Sequence, residues 1–305
     1  MAGNENTLIV LVGPTASGKT GLAIEVAARL HTEIISADSR QFYKEIPIGT
    51  AAPDEEQLAG IRHHFVGQLS VVDDYNVARF EQDVLYLLED KFRHHRQMLM
   101  VGGSGLYINA VCEGIDSLPD PDPGIRRDLN TLYEKEGIEP LKHKLKELDP
   151  EYYQIVDLNN PKRLLRAIEV CLQTGTTYTS LRKNKPKSKD FGIAKIGLDI
   201  ERSLLNERIN KRTELMFEQG WLEEARTVYP QKHLNALNTV GFKEIFKYFD
   251  GEISLEEAKE KIKTNTRRYA KRQMTWFKKD KEIRWFNATK ENLAENVMDY
   301  LEGEI

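Results

Sequence analysis

Residues Gly13-Pro-Thr-Ala-Ser-Gly-Lys19-Thr20 match G-x-x-x-x-G-K-[ST] at every defined position. The run before them, Leu8-Ile-Val-Leu-Val12, is wholly apolar, as a strand buried on both faces requires. Thr20 to Leu30 follows with helical periodicity. Strand, glycine loop and helix in that order commit the chain to an α/β sheet. The loop from Gly13, Pro14 and Thr15 through Ala16, Ser17 and Gly18 turns its backbone N–H groups into one concavity. The helix behind it presents a positive N-terminus to an anion. Lys19 adds a mobile cation, and the Thr20 hydroxyl can ligate Mg²⁺. The motif specifies a di- or triphosphate group, not a reaction.

The rest of the N-terminal half repeats the pattern. Glu33-Ile-Ile-Ser36 reads as a second short strand, Asn76 to Arg93 as an amphipathic helix with Asn76 as its N-cap, and Gln97 to Val101 as a third strand. The predicted class is α/β: a P-loop NTPase-like three-layer core with a parallel sheet. A Pro/Asp turn cluster, Leu118-Pro-Asp-Pro-Asp-Pro-Gly124, breaks this pattern. Helical segments follow at Ile125 to Glu136, Gly137 to Leu148 and Pro161 to Thr174, and strand character returns at Ala194 to Leu198. A helical insertion domain over 117–191 is therefore expected to interrupt a core formed by 1–116 and 192–305. The C-terminal region reads as helical: Glu201 to Gln219, Trp221 to Val228, Gly241 to Phe249 and Ser254 to Phe277, the last opened by a capping box at Ser254 and Glu257. Glu282 to Phe286 closes it as a short strand.

Composition narrows the function classes. The 305 residues contain two cysteines, Cys112 and Cys171, neither in a CxxC pair, so a zinc site or disulfide framework is not expected. The leading residues are polar and no apolar run is long enough to cross a membrane, which points to a cytoplasmic protein. The net charge of −4 argues mildly against nucleic acid, but the distribution is uneven. Lys261 to Lys281 holds nine Lys or Arg against Asp280, and Arg182 to Lys189 holds five basic residues and no acid. Such local fields steer polyanions even on an acidic protein.

A nucleotidase needs an acid at a later strand tip to hold Mg²⁺. The strand ending at Val101 runs instead into Gly102-Gly-Ser-Gly-Leu-Tyr107. An acid does follow the second strand: Asp38, within Ala37-Asp-Ser-Arg-Gln-Phe-Tyr43. The carboxyl ends of the strands line one crevice, so Asp38 should face the loop's ligand and can accept a proton there.

Together these blocks resemble the tRNA dimethylallyltransferases, or tRNA isopentenyltransferases, over nearly the whole chain. The resemblance runs through the glycine loop, Ala37 to Tyr43, Ile48 to Pro53, His63 to Phe65, Gly102 to Tyr107, Asn160 to Val170, Glu207 to Gly220, Val240 to Glu244 and Thr266 to Phe277. Phe242 and Ser104 stand where the family usually has Tyr and Thr. The resemblance implies transfer of a dimethylallyl group from its diphosphate to N6 of the adenine 3′ to the anticodon, in tRNAs reading U-starting codons. It implies Mg²⁺ and Lys19 on the leaving diphosphate, Asp38 as general base and Arg212 as a second clamp. Near the tRNA it puts Asp38, Ser39, Arg40, Gln41, Ser104, Arg126, Pro161, Lys162, Arg163, Leu164, Arg166, Val240, Gly241, Phe242, Lys243, Lys271, Arg272, Gln273, Trp276 and Lys278. Trp276, Phe277 or Phe242 could stack on splayed bases, and the insertion would grip the tRNA. The expected form is the shorter bacterial one, as a monomer, and binding of ATP to the loop stays open. The alternatives are a small-molecule P-loop kinase, an adenylate isopentenyltransferase acting on free AMP or ATP, and a non-enzymatic RNA-binding regulator.

Overall fold

The computed structural model describes residues 6–58, 60–116, 118–182 and 188–304. The chain divides into two compact units, Met1–Cys112 with Ser188–Ile305, and Glu113–Lys187. The first unit opens with β1 Thr7–Val12, α1 Lys19–Leu30, β2 Ile34–Ser36, α2 Glu55–Leu58, β3 His63–His64, α3 Val77–Lys91, β4 Gln97–Gly102 and α4 Gly105–Glu113. The second carries α5 Pro123–Glu136, α6 Glu139–Leu148, α7 Pro150–Ile155, α8 Pro161–Thr174 and α9 Tyr178–Leu181. The chain then returns to the first with β5 Gly192–Asp199, α10 Arg202–Glu218, α11 Trp221–Val228, α12 Phe242–Phe249, α13 Leu255–Phe277, β6 Arg284–Asn287 and α14 Leu293–Glu304.

The six strands form one sheet in the order β3-β2-β4-β1-β5-β6, and every pair is parallel. The strand with the longest apolar run takes the middle: all six residues of β1 are buried. β4 and β5 flank it in register, Val12 opposite both Gly102 and Gly197. The loops after β1, β2 and β4 therefore leave the sheet at one edge, where α/β sheets bind ligands.

Side chains from the two sheet faces enter two cores. Leu8, Val10, Phe42, Phe80 and Met100 share one, and Ile9, Leu11, Val26, Ile34 and Val297 the other. The alternation of Leu8 and Val10 against Ile9 and Leu11 is the period of a strand covered on both faces. Asn76 caps α3 through Ala78 N and Arg79 N, and Ser254 and Glu257 cap α13 reciprocally. The second unit has its own core of Leu129, Leu141, Leu145, Leu164 and Ile168. The expected basic loop at Arg182 to Lys189 falls largely on 183–187, and the expected insertion boundary on Ser117; both lie outside the described residues.

Candidate active site

The loop between β1 and α1 closes around a cavity of about 340 Å³. Gly18 makes the turn with φ of 96°, left-handed backbone that glycine adopts without strain, and serves as the N-cap of α1. On the far wall the last residue of β4, Gly102, lies against the backbone of Ala37, where any side chain would overlap it. This close approach lets Asp38 and Gly103 line the same cavity as Thr15 to Thr20.

Buried groups hold the loop in place. Gln273 of α13 is 5% exposed. Its Oε1 accepts from Thr15 N at 2.8 Å and its Nε2 donates to Gly103 O at 3.0 Å. From α10, Arg212 donates to Thr15 Oγ1 at 2.5 Å and Arg208 reaches Ser17 O at 3.5 Å. The two arginines are one helical turn apart and so share a face. Lys19 donates to Pro14 O at 2.7 Å. Burial pulls the Lys19 pKa down from 10.5 to about 7, opposed by the charge of Asp38 and aided by that of Arg212. Burial also lowers the Arg212 pKa, against the pull of Asp38. The cavity thus concentrates desolvated cations beside one carboxylate, which is the arrangement that favours a multiply charged anion.

Asp38 is positioned by its own backbone turn: Oδ1 accepts from Arg40 N at 3.0 Å. Ser104 Oγ accepts from Ser39 N at 3.0 Å, tying the start of α4 to that turn. Gln41 lines the cavity, and its Nε2 donates to Ala51 O at 3.0 Å. Glu224 of α11 accepts from Ile48 N and Gly49 N, both at 2.7 Å. Those bonds bring Thr50, Ala51 and Pro53 into the cavity wall, giving it a less polar side.

A magnesium ion fits this donor set as a cation held mainly by its ligand. Thr20 is an exposed hydroxyl on the cavity wall, and among the described residues no group of three or more His, Cys, Asp or Glu could cage a metal. Mg²⁺ characteristically uses one or two protein oxygens together with water and phosphate. Two covered polar atoms on cavity-lining residues have no protein partner, Ser17 Oγ and His63 Nε2. The His63 Nδ1 must carry its proton, since it faces Ile61 O at 2.9 Å, so Nε2 is a free acceptor.

The residues expected near tRNA separate into three groups. Lys243, Lys271, Arg272, Trp276 and Lys278 are exposed in the first unit. Trp276, 40% exposed, packs on Gly105 and donates to Asn109 Oδ1 at 3.3 Å. Arg40 is tethered to Asn235 O at 2.9 Å and Ala236 O at 3.2 Å.

Others are wholly or partly buried in the first unit. Phe242 is 0% exposed and packs edge-on to Trp221, and Phe277 is 2% exposed, so neither stacks on a base. The apolar ring of each is worth more in the core than at a wet surface. Gly241 is buried, its N–H bonded to Glu244 Oε2 at 2.7 Å, beside half-buried Val240. Gln273 is spent on the loop as described.

In the second unit Leu164 is a core residue with 0% exposure, while Pro161, Lys162 and Arg163 open α8 with the Lys and Arg exposed. Arg126 and Arg166 share one buried carboxylate oxygen of Glu169, at 2.6 and 2.7 Å.

Arg208, His63 and the Thr50–Pro53 wall are cavity residues for which sequence reasoning found no role. Tyr269 of α13 feels the same carboxylate: burial, then the Asp38 charge, pushes its pKa up to about 12.

Comparison with known proteins shows the family. The IPP transferase family model matches residues 41–280. The tRNA dimethylallyltransferase of Christiangramia forsetii is 53% identical over 300 residues, covering 98% of this chain and 99% of that one. The tRNA dimethylallyltransferase 1 of Bacteroides fragilis is 51% identical over 299 residues, covering 98% of each. Among solved structures, the full-length tRNA isopentenylpyrophosphate transferase of Bacillus halodurans superposes with a TM-score of 0.72 at 33% identity, covering 98% of this chain and 96% of that one. A eukaryotic dimethylallyltransferase acting on tRNA superposes with a TM-score of 0.80 at 25% identity, covering 98% of this chain and 80% of that one.

Proposed function

The chain belongs to the IPP transferase family, and from that premise we propose that it moves a dimethylallyl group from dimethylallyl diphosphate onto the exocyclic N6 of the adenine 3′ to the anticodon of tRNA. The observation that carries this reading is the pairing, in one cavity, of a phosphate-binding loop with Asp38. A nucleotidase would want its acid as a metal ligand at a later strand tip. Here β4 ends in glycine, and the acid lines the same cavity as the loop, free to serve an incoming nucleophile as a base.

The diphosphate is held by the loop N–H groups, the α1 N-terminus and Lys19, with Arg208 and Arg212 reaching in from α10. As the allylic C1–O bond breaks, negative charge grows on the departing diphosphate, and these fixed cations stabilise it more than they stabilise the ground state. Mg²⁺, held on the protein side by Thr20, would supply further charge neutralisation there. The N6 lone pair forms the new N–C1 bond. One N6 proton passes to Asp38, and the diphosphate leaves with the electron pair of the broken bond. A base stacked in a loop cannot reach this cavity, so the adenine must be turned out. The exposed Trp276, packed on Gly105 at the start of α4, offers a stacking surface for its neighbours. Exposed Lys243, Lys271, Arg272 and Lys278, with Lys162 and Arg163 on the second unit, offer phosphate contacts.

No helix among the described residues is long and apolar enough to cross a membrane, which is compatible with an enzyme meeting tRNA in the cytoplasm. Incubation of unmodified tRNA with dimethylallyl diphosphate and Mg²⁺, followed by nucleoside mass spectrometry of nuclease fragments, tests the position. The expected product is one prenylated adenine next to the anticodon. Prenylation spread over many adenines, or none, would defeat the reading.

A further inference from the structure

A second concavity in the first unit, about 550 Å³, lies between the start of α10 and one side of α13. Its floor is apolar: Ile200, Leu205 and Ala270 are each less than a tenth exposed, and Met274 is half-buried. Its rim is basic, with Arg202, Arg267, Arg268, Lys271 and Lys278 against the single acid Asp199. That acid is already engaged by Lys278 at 3.2 Å. Among the described residues the side-chain hydrogen bonds of Arg267 go to neutral groups, Asn210 Oδ1 at 2.8 Å and Thr264 Oγ1 at 2.9 Å. Among the described residues no ion pair joins Arg202, Arg268 or Lys271 to a carboxylate, and all three side chains are exposed.

The shape of this charge matters more than its size. The cavity behind the glycine loop concentrates its cations on one point, as a diphosphate needs. Along α13 the groove cations are strung from position 267 to position 278, about 16 Å at the helical rise of 1.5 Å per residue. That is too long for one diphosphate and suits successive phosphates of a strand. The apolar floor beneath such a line is what an unstacked base or ribose can cover. A merely solvated basic face would need no hollow under it.

We propose that this groove is an RNA-binding surface outside the catalytic cavity, holding a stretch of the tRNA backbone along α13 and the start of α10. This rests on the tRNA-prenylating reading of the catalytic cavity and extends the contacts to Arg202, Arg267 and Arg268, which that reading does not use. The groove adds affinity and orientation and takes no part in the chemistry.

The test is the double variant Arg202→Glu/Arg268→Glu, on the full chain, beside a milder Arg202→Gln/Arg268→Gln. Both positions are exposed, and unchanged circular dichroism and melting serve as the folding control. Fluorescence anisotropy with unmodified tRNA over a salt series should show roughly tenfold or greater weakening for the Glu pair, and a log–log salt slope flatter by about 1.5, two lost phosphate contacts at ~0.7 to 0.9 each. The Gln pair should show the flatter slope with a smaller loss. In steady-state transfer the KM for tRNA should rise while kcat and the KM for dimethylallyl diphosphate stay at wild-type values. Unchanged tRNA affinity and salt slope would overturn the proposal. So would a raised KM for dimethylallyl diphosphate with tRNA binding intact, which would make the groove a small-anion site. If the wild-type protein transfers nothing to tRNA, the catalytic reading has failed, whatever the groove does.

Discussion

At Lys19 burial disfavours the ammonium, and a bound anion reverses that preference. The free protein holds this group at a pKa of about 7, whereas a diphosphate alongside must raise it. Between the two values the complex binds more protons than the free protein, so affinity falls as pH rises above 7, by at most tenfold per unit. Titration calorimetry with inorganic diphosphate at pH 7, 8 and 9 should show this fall together with proton uptake on binding, and a flat profile would contradict it. The aromatic residues divide as sharply. Phe242→Ala empties a fully buried site and should cost about 3 to 5 kcal/mol of stability. Trp276→Ala should leave the melting temperature nearly unchanged and cost about 1 to 3 kcal/mol of tRNA affinity. Thermal melts and anisotropy on both variants check the pair. The sequence shows an aromatic residue at each position but not its burial. Phe242 is buried because Trp221, on a different helix, packs against it.

At the scale of the element, helix α10 acts as one wall of the cavity because Arg208 and Arg212 are four residues apart and both point at the loop. Arg212→Lys keeps the charge but loses the planar fork that reaches Thr15. Weakening of inorganic diphosphate binding by about tenfold, one charged hydrogen bond's worth, is the expected outcome by calorimetry. Elements with a long hydrophobic period were legible in the sequence: the helices at Pro161–Thr174 and Trp221–Val228 have the expected bounds. The short ones were not. No element is expected from the sequence between Leu148 and Pro161, yet Asp149 is 0% exposed, caps α7 through Tyr152 N at 2.9 Å, and binds Thr179 N at 2.7 Å near the start of α9. Those two helices depend on that long-range bond, and no local pattern could announce it. β3 is two residues long and exists only by pairing with β2. Its one cavity residue, His63, was therefore visible as a motif but not as a wall of the site.

For the whole molecule, the glycine loop and Asp38 declared the core's class and the kind of chemistry, while the support behind them stayed hidden. Gln273 braces Thr15 from 258 positions away along the chain, and such a contact has no signature in a single sequence. The same distance explains why Gln273 reads as part of a basic, RNA-facing helix although it faces inward. Each unit closes its own apolar core, so the sheet that carries the cavity does not depend on the helical unit for its interior. The most direct measurement is transfer of label from dimethylallyl diphosphate, with Mg²⁺, to unmodified tRNA and separately to AMP, by wild-type protein and by Asp38→Asn. The account predicts label in tRNA and not in AMP, a rate lowered by about 10²- to 10⁴-fold in Asp38→Asn, and tRNA affinity largely retained in that variant. Label in AMP alone, or a near-normal rate from Asp38→Asn, would contradict it.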